Sequence, residues 1–125
     1  MKKIINYWLP PIIWMLLIFI LSSRQSISIA DKHLVNFLLF KFLHIIEYAI
    51  LYFLLFRAFN KKKSKRVSYL MPFIISLVFA AIDEIHQTFV PTREGTIRDV
   101  LIDAMGIVFM YSYIKNHLNV VRKYL

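Results

Sequence analysis

Apolar residues run almost unbroken from Ile4 to about Leu21 and resume from Leu34 to about Phe59. They return from about Ser68 to Phe89 and once more from about Ile97 to Tyr113. At 1.5 Å per residue such runs predict helices of about 25–40 Å, against roughly 30 Å of bilayer hydrocarbon. The breaks between them are short and polar. Ser22-Ser23-Arg24-Gln25-Ser26 reads as a loop, and a second loop carries Lys61, Lys62, Lys63, Lys65 and Arg66. Pro91 stops the third run, whereas Pro72 falls in its first turn, where a missing backbone donor is tolerated. Pro10-Pro11 predicts a kink or local unwinding early in the first helix. The pattern as a whole predicts one all-α domain over residues 1–125, an antiparallel four-helix transmembrane bundle.

Composition supports this. A hydrophobic content of 59% with only two glycines and four prolines lies far from both soluble and disordered averages. The absence of cysteine removes disulfides, thiolate metal sites and cysteine nucleophiles. A net charge of +9 would suit nucleic acid, but a nucleic-acid domain does not carry this much lipid-like sequence, so that partner is excluded. A secretory signal peptide is the rival for the first run, with Ser28-Ile29-Ala30 as a cleavage site, although the run is long for a signal.

The cations orient the bundle. With four spans, eleven Lys and Arg fall on the side of the two termini and the middle loop. Five (Arg24, Lys32, Lys41, Arg93 and Arg98) fall on the other. The positive-inside rule then places both termini in the cytoplasm. All seven acids, Asp31, Glu47, Asp83, Glu84, Glu94, Asp99 and Asp103, lie from about the midplane outward. The polar work of the chain is therefore expected near the outer face.

Several of these groups sit inside the spans, where an ionised side chain is expensive, about 3 kcal/mol on insertion scales. On the second helix Lys41, His44 and Tyr48 share an arc of about 60°, with Glu47 one step round. On the third, Asp83, His86 and Gln87 share a face and Glu84 lies about 100° away. On the fourth, Asp99, Asp103 and Gly106 form a stripe, with Gly106 permitting close helix approach. Three stripes at similar depth predict a shared interior pocket.

Four segments together carry a family resemblance. They are Phe19-Ile20-Leu21-Ser22-Ser23, Lys41-Phe42-Leu43-His44-Ile45-Ile46-Glu47-Tyr48, Asp83-Glu84-Ile85-His86-Gln87-Thr88-Phe89-Val90-Pro91-Thr92-Arg93, and Arg98-Asp99-Val100-Leu101-Ile102-Asp103-Ala104-Met105-Gly106. In this order, on four spans, they resemble the VanZ-like family of small bacterial membrane proteins, named for low-level resistance to the glycopeptide teicoplanin. One departure is Asp103, where asparagine is expected in many relatives. The resemblance implies a multi-pass protein of the cell membrane and a candidate site, and leaves the reaction and any cofactor unspecified.

Four functional readings fit these residues. In the first, Lys41, His44, Arg93 and Arg98, with donors from Ser22, Ser23 and Arg24, bind an anionic head group. The ligand would be a membrane lipid, a lipid-linked wall precursor or a glycopeptide, with Tyr48, Gln87 and Asp103 completing the pocket. In the second, Asp83, Glu84, His86 and Asp99 perform acid/base chemistry on an envelope lipid. These acids and histidines are also oxygen and imidazole ligand types, but Glu84 and His86 are two residues apart rather than in HExxH spacing, so no metal site is assigned. The third is transport or proton relay. The fourth is a salt-bridged lock fixing helix register.

Overall fold

The computed structural model describes residues 1–24, 33–60 and 64–125. The expected cleavage site at Ser28-Ile29-Ala30, the charges Asp31 and Lys32, and Lys61, Lys62 and Lys63 lie outside these described residues. Within them every regular element is helical: α1 (Lys2–Ser22), α2 (His33–Phe59), α3 (Lys65–Gln87), α4 (Ile97–Asn116) and the short α5 (Leu118–Val121), followed by a 3-10 turn.

Three of these helices, α1, α2 and α3, are long and apolar enough to cross a membrane. The fourth, α4, has 20 residues, about 30 Å of helix, but it carries Arg98, Asp99, Asp103 and Lys115. Its buried residues are Asp99, Asp103, Gly106, Ile107 and Ile114. Leu101, Met105, Val108 and Phe109 face outward. That is the reverse of a helix folded in water. The same inversion covers α1, where Ile4, Leu9, Ile12, Ile13, Leu16 and Ile20 are exposed, and α3, where Leu70, Ile74, Val78, Ile82 and Ile85 are. Apolar surface on this scale has no place in water and suits lipid.

The core is built around α2, which packs against α1, α3 and α4. Tyr48, Leu51, Tyr52, Leu55 and Phe56 of α2 are buried against Ile18, Ala80, Ile107 and Ile114. Trp14 Nε1 donates to the Glu47 carbonyl at 2.9 Å, fastening α1 to α2. At the basic end, Tyr52 donates to the Tyr69 carbonyl at 3.2 Å, and Tyr52, Tyr69 and Tyr111 stack edge to face. Trp8 packs on Phe59, and the Arg57 guanidinium lies over the Tyr7 ring.

Two helix boundaries differ from the pattern in an instructive way. Helix α1 runs uninterrupted through Pro10 and Pro11, so of the kink or local unwinding expected there the unwinding does not occur. Helix α3 ends at Gln87 rather than Phe89. Beyond it the chain turns through Val90 and reaches Thr92 at φ 68°, a left-handed residue immediately after the proline that cannot continue the helix. Gly95 then lies so close to the Glu84 carbonyl that a Cβ there would overlap it. The loop from α3 to α4 is thereby folded back over the end of α3.

Candidate functional site

Antiparallel packing brings the end of α1, the first half of α2, the end of α3 and the start of α4 to one end of the molecule. The predicted stripes meet there. Gly106 sets the spacing, since a Cβ on it would overlap the Ile45 backbone carbonyl. The close approach of α2 and α4 places His44 against Asp103, one turn before the glycine, and Lys41 against Asp99, one turn further.

The buried polar residues divide into two groups by how well they are partnered. Asp83 is fully buried and accepts from Ser22 Oγ at 2.5 Å, Gln87 Nε2 at 3.2 Å and Tyr48 Oη at 3.4 Å. It thus ties α1, α2 and α3 through one carboxylate. A carboxylate with three donors has the satisfied surroundings that make a buried charge tolerable.

The second group is not satisfied in this way. Lys41 Nζ lies 2.5 Å from Asp99 Oδ1, but no hydrogen-bond geometry accompanies the contact, so it is an ion pair held by charge. His44 Nδ1 lies 3.3 Å from Asp103 Oδ1, again without hydrogen-bond alignment. Asp103 Oδ2 is buried with no hydrogen-bond partner at all. Glu84 reaches this group from α3, although the helical period sets it aside from Asp83. Its Oε2 accepts from the Thr96 backbone at 3.3 Å and its Oε1 from Gln87 at 3.4 Å.

His86, one turn on from Asp83, meets the next serine of α1 at the half-buried edge. Its ring stacks on Phe19 with centroids 4.2 Å apart, and Nε2 lies 2.9 Å from Ser23 Oγ. Ser23 Oγ donates its proton to the Phe19 carbonyl at 2.6 Å. The Ser23 hydroxyl is thus shared between the Phe19 carbonyl and the His86 ring. Of the predicted residues, Asp83, Gln87, Tyr48 and Ser22 form one network that reaches Glu84 through Gln87, Lys41 pairs with Asp99 and His44 with Asp103, and His86 meets Ser23.

The arginines occupy the rim. Arg24 and Arg98 are exposed and Arg93 half-buried. Arg93 Nη1 donates to the Arg24 carbonyl at 3.4 Å, joining the end of α1 to the loop before α4. Arg98 Nε lies 4.0 Å from Asp99.

Three participants escaped the sequence reading. Thr96 caps α4, accepting from the Asp99 N–H at 3.3 Å, and its own N–H holds Glu84. The signal was present as Thr96-Ile97-Arg98-Asp99, a capping-box spacing. Phe37 receives both Lys41 and Arg98 over its ring at 5.5 Å, and its place one turn before Lys41 could have suggested it. Phe19, under His86, gave no signal of its own.

Helices with outward apolar faces, and three of them long and apolar enough to cross a bilayer, fit a membrane protein with a polar cluster at one end. The chain belongs to the VanZ/LLP1 family, whose model matches residues 7–119. That match contains all four segments quoted above. No curated protein and no solved structure matches the chain.

Proposed function

We propose that the chain is a multi-pass protein of the bacterial cell membrane in which α1 to α4 form a four-helix transmembrane bundle. Both termini face the cytoplasm, and the polar cluster opens to the outside. The inverted polarity of α4 supports its being a fourth span, and the distribution of cations supports the orientation. The protein binds the anionic head group of an envelope lipid, a lipid-linked wall precursor or a glycopeptide of the teicoplanin type.

One observation carries the binding reading: polar groups from four helices converge at one end, beneath a rim of arginines. The interior itself is acidic. Asp83, Glu84, Asp99 and Asp103 are all buried, and Lys41 is committed to Asp99. An anion is therefore met first by Arg93, Arg98 and Arg24, not by the deep cluster. A second reading, acid/base chemistry on the bound lipid, is favoured by His44 Nδ1 and Asp103 Oδ2, both buried without a hydrogen bond.

The test has two arms. Expression in a glycopeptide-sensitive bacterium raises the inhibitory concentration of teicoplanin at least twofold. Alternatively, native mass spectrometry of the purified protein shows a retained anionic lipid. In either arm the effect disappears in Arg93→Ala/Arg98→Ala at unchanged membrane level. No effect of the wild type in both arms overturns the proposal.

A further inference from the structure

The inner part of the cluster is arranged for a cation. His44, Glu84 and Asp103 each offer a ligand atom, and these three atoms lie within 4.8 Å of one another. All three side chains are buried, Asp103 at 1% exposure and Glu84 at 4%. They come from three helices, α2, α3 and α4, so the grouping is not a by-product of helical periodicity. Two ligand atoms bound tetrahedrally at about 2.0–2.1 Å from one ion stand about 3.3 Å apart. His44 Nδ1 and Asp103 Oδ1 already have that separation of 3.3 Å. Glu84 adds a ligand atom to a set in which no two lie more than 4.8 Å apart, a spread that side-chain adjustment can close.

Two further facts distinguish this from a salt-bridged lock. The His44–Asp103 contact lacks hydrogen-bond alignment, and Asp103 Oδ2 has no partner despite its burial. Buried polar atoms in a lock are expected to be paired, as those around Asp83 are. The charge is also unbalanced. Among the described residues, four buried carboxylates, with half-buried Glu47 beside them, have Lys41 and the exposed Arg98 as ion-pair cations, and both of these are engaged by Asp99.

We infer that His44, Glu84 and Asp103 bind a divalent first-row transition ion of the zinc or manganese type. The mixed imidazole and carboxylate set excludes a preference for magnesium or calcium, which take all-oxygen surroundings. Three protein ligands leave at least one position for an exogenous oxygen, the pattern of sites that act on a ligand rather than merely brace a fold. The ion site stands independently of the head-group reading, because its test needs no lipid or antibiotic.

The experiment uses the full chain, stripped with chelator and titrated with zinc chloride in detergent by calorimetry. One equivalent binds, and His44→Ala and Asp103→Asn each weaken binding at least tenfold, while Glu94→Gln on the exposed loop leaves it unchanged. X-ray absorption on the zinc-loaded wild type reports one imidazole and the rest oxygen ligands, a readout independent of how the variants fold. Absence of stoichiometric binding overturns the proposal. So does a shell with two or more imidazoles, or affinity unaltered in both variants, since each means that zinc sits on other histidines.

Discussion

Asp83 on α3 and Asp103 on α4, the two most deeply buried aspartates, look alike in sequence and differ in their surroundings. Asp83 accepts three hydrogen bonds from Ser22, Tyr48 and Gln87, whereas Asp103 has one oxygen near His44 and one with no partner. Removing Asp83 leaves the buried Tyr48 hydroxyl without its acceptor and takes one of two acceptors from Ser22 and from Gln87. Asp83→Ala is expected to lower stability by about 3 kcal/mol, read as a lower melting temperature in detergent or a smaller yield in the membrane. Asp103→Asn removes little that is paired. In metal-free protein it is expected to change stability by less than about 1 kcal/mol. A larger loss for Asp103→Asn than for Asp83→Ala in the same melting assay contradicts this division. Loss of function in an Asp83 variant therefore requires a measurement of protein level before it is assigned to chemistry.

At the scale of elements, hydrophobic period places the four helices to within a few residues, because lipid demands long, uniform runs. Partner choice is less legible. His86 and Asp83 share a face by spacing and both meet the end of α1, at Ser23 and Ser22, but Asp83 turns inward to Tyr48 and Gln87 while His86 stays at the half-buried edge against Phe19. Glu84 moves the opposite way, from an apparent outlier into the cluster, because the loop after Pro91 folds back and presents the Thr96 N–H to it. No periodicity encodes a loop's return. Gly106 was the legible exception, since a glycine on a polar stripe signals close approach, and here it meets the Ile45 carbonyl. Gly106→Val is expected to push α4 from α2 and cost about 1–3 kcal/mol in the detergent melt. Met105→Val, one residue away and 60% exposed, is expected to stay within about 0.5 kcal/mol. Equal effects at the two positions would remove the argument that Gly106 sets the spacing.

For the molecule as a whole, the proposed function depends on which side of the membrane the cluster faces. An arginine rim can meet an extracellular glycopeptide or an outer-leaflet head group only from outside. The chain has no cysteine, so single introduced cysteines report their side without background. Glu94 lies in the exposed loop beside the cluster, and Lys65 begins α3 at the opposite end. In intact cells, Glu94→Cys is predicted to react with a membrane-impermeant maleimide, and Lys65→Cys to react only after lysis. The reverse pattern, with Lys65→Cys labelled in intact cells and Glu94→Cys protected, would put the cluster in the cytoplasm and contradict the proposed role at the outer face.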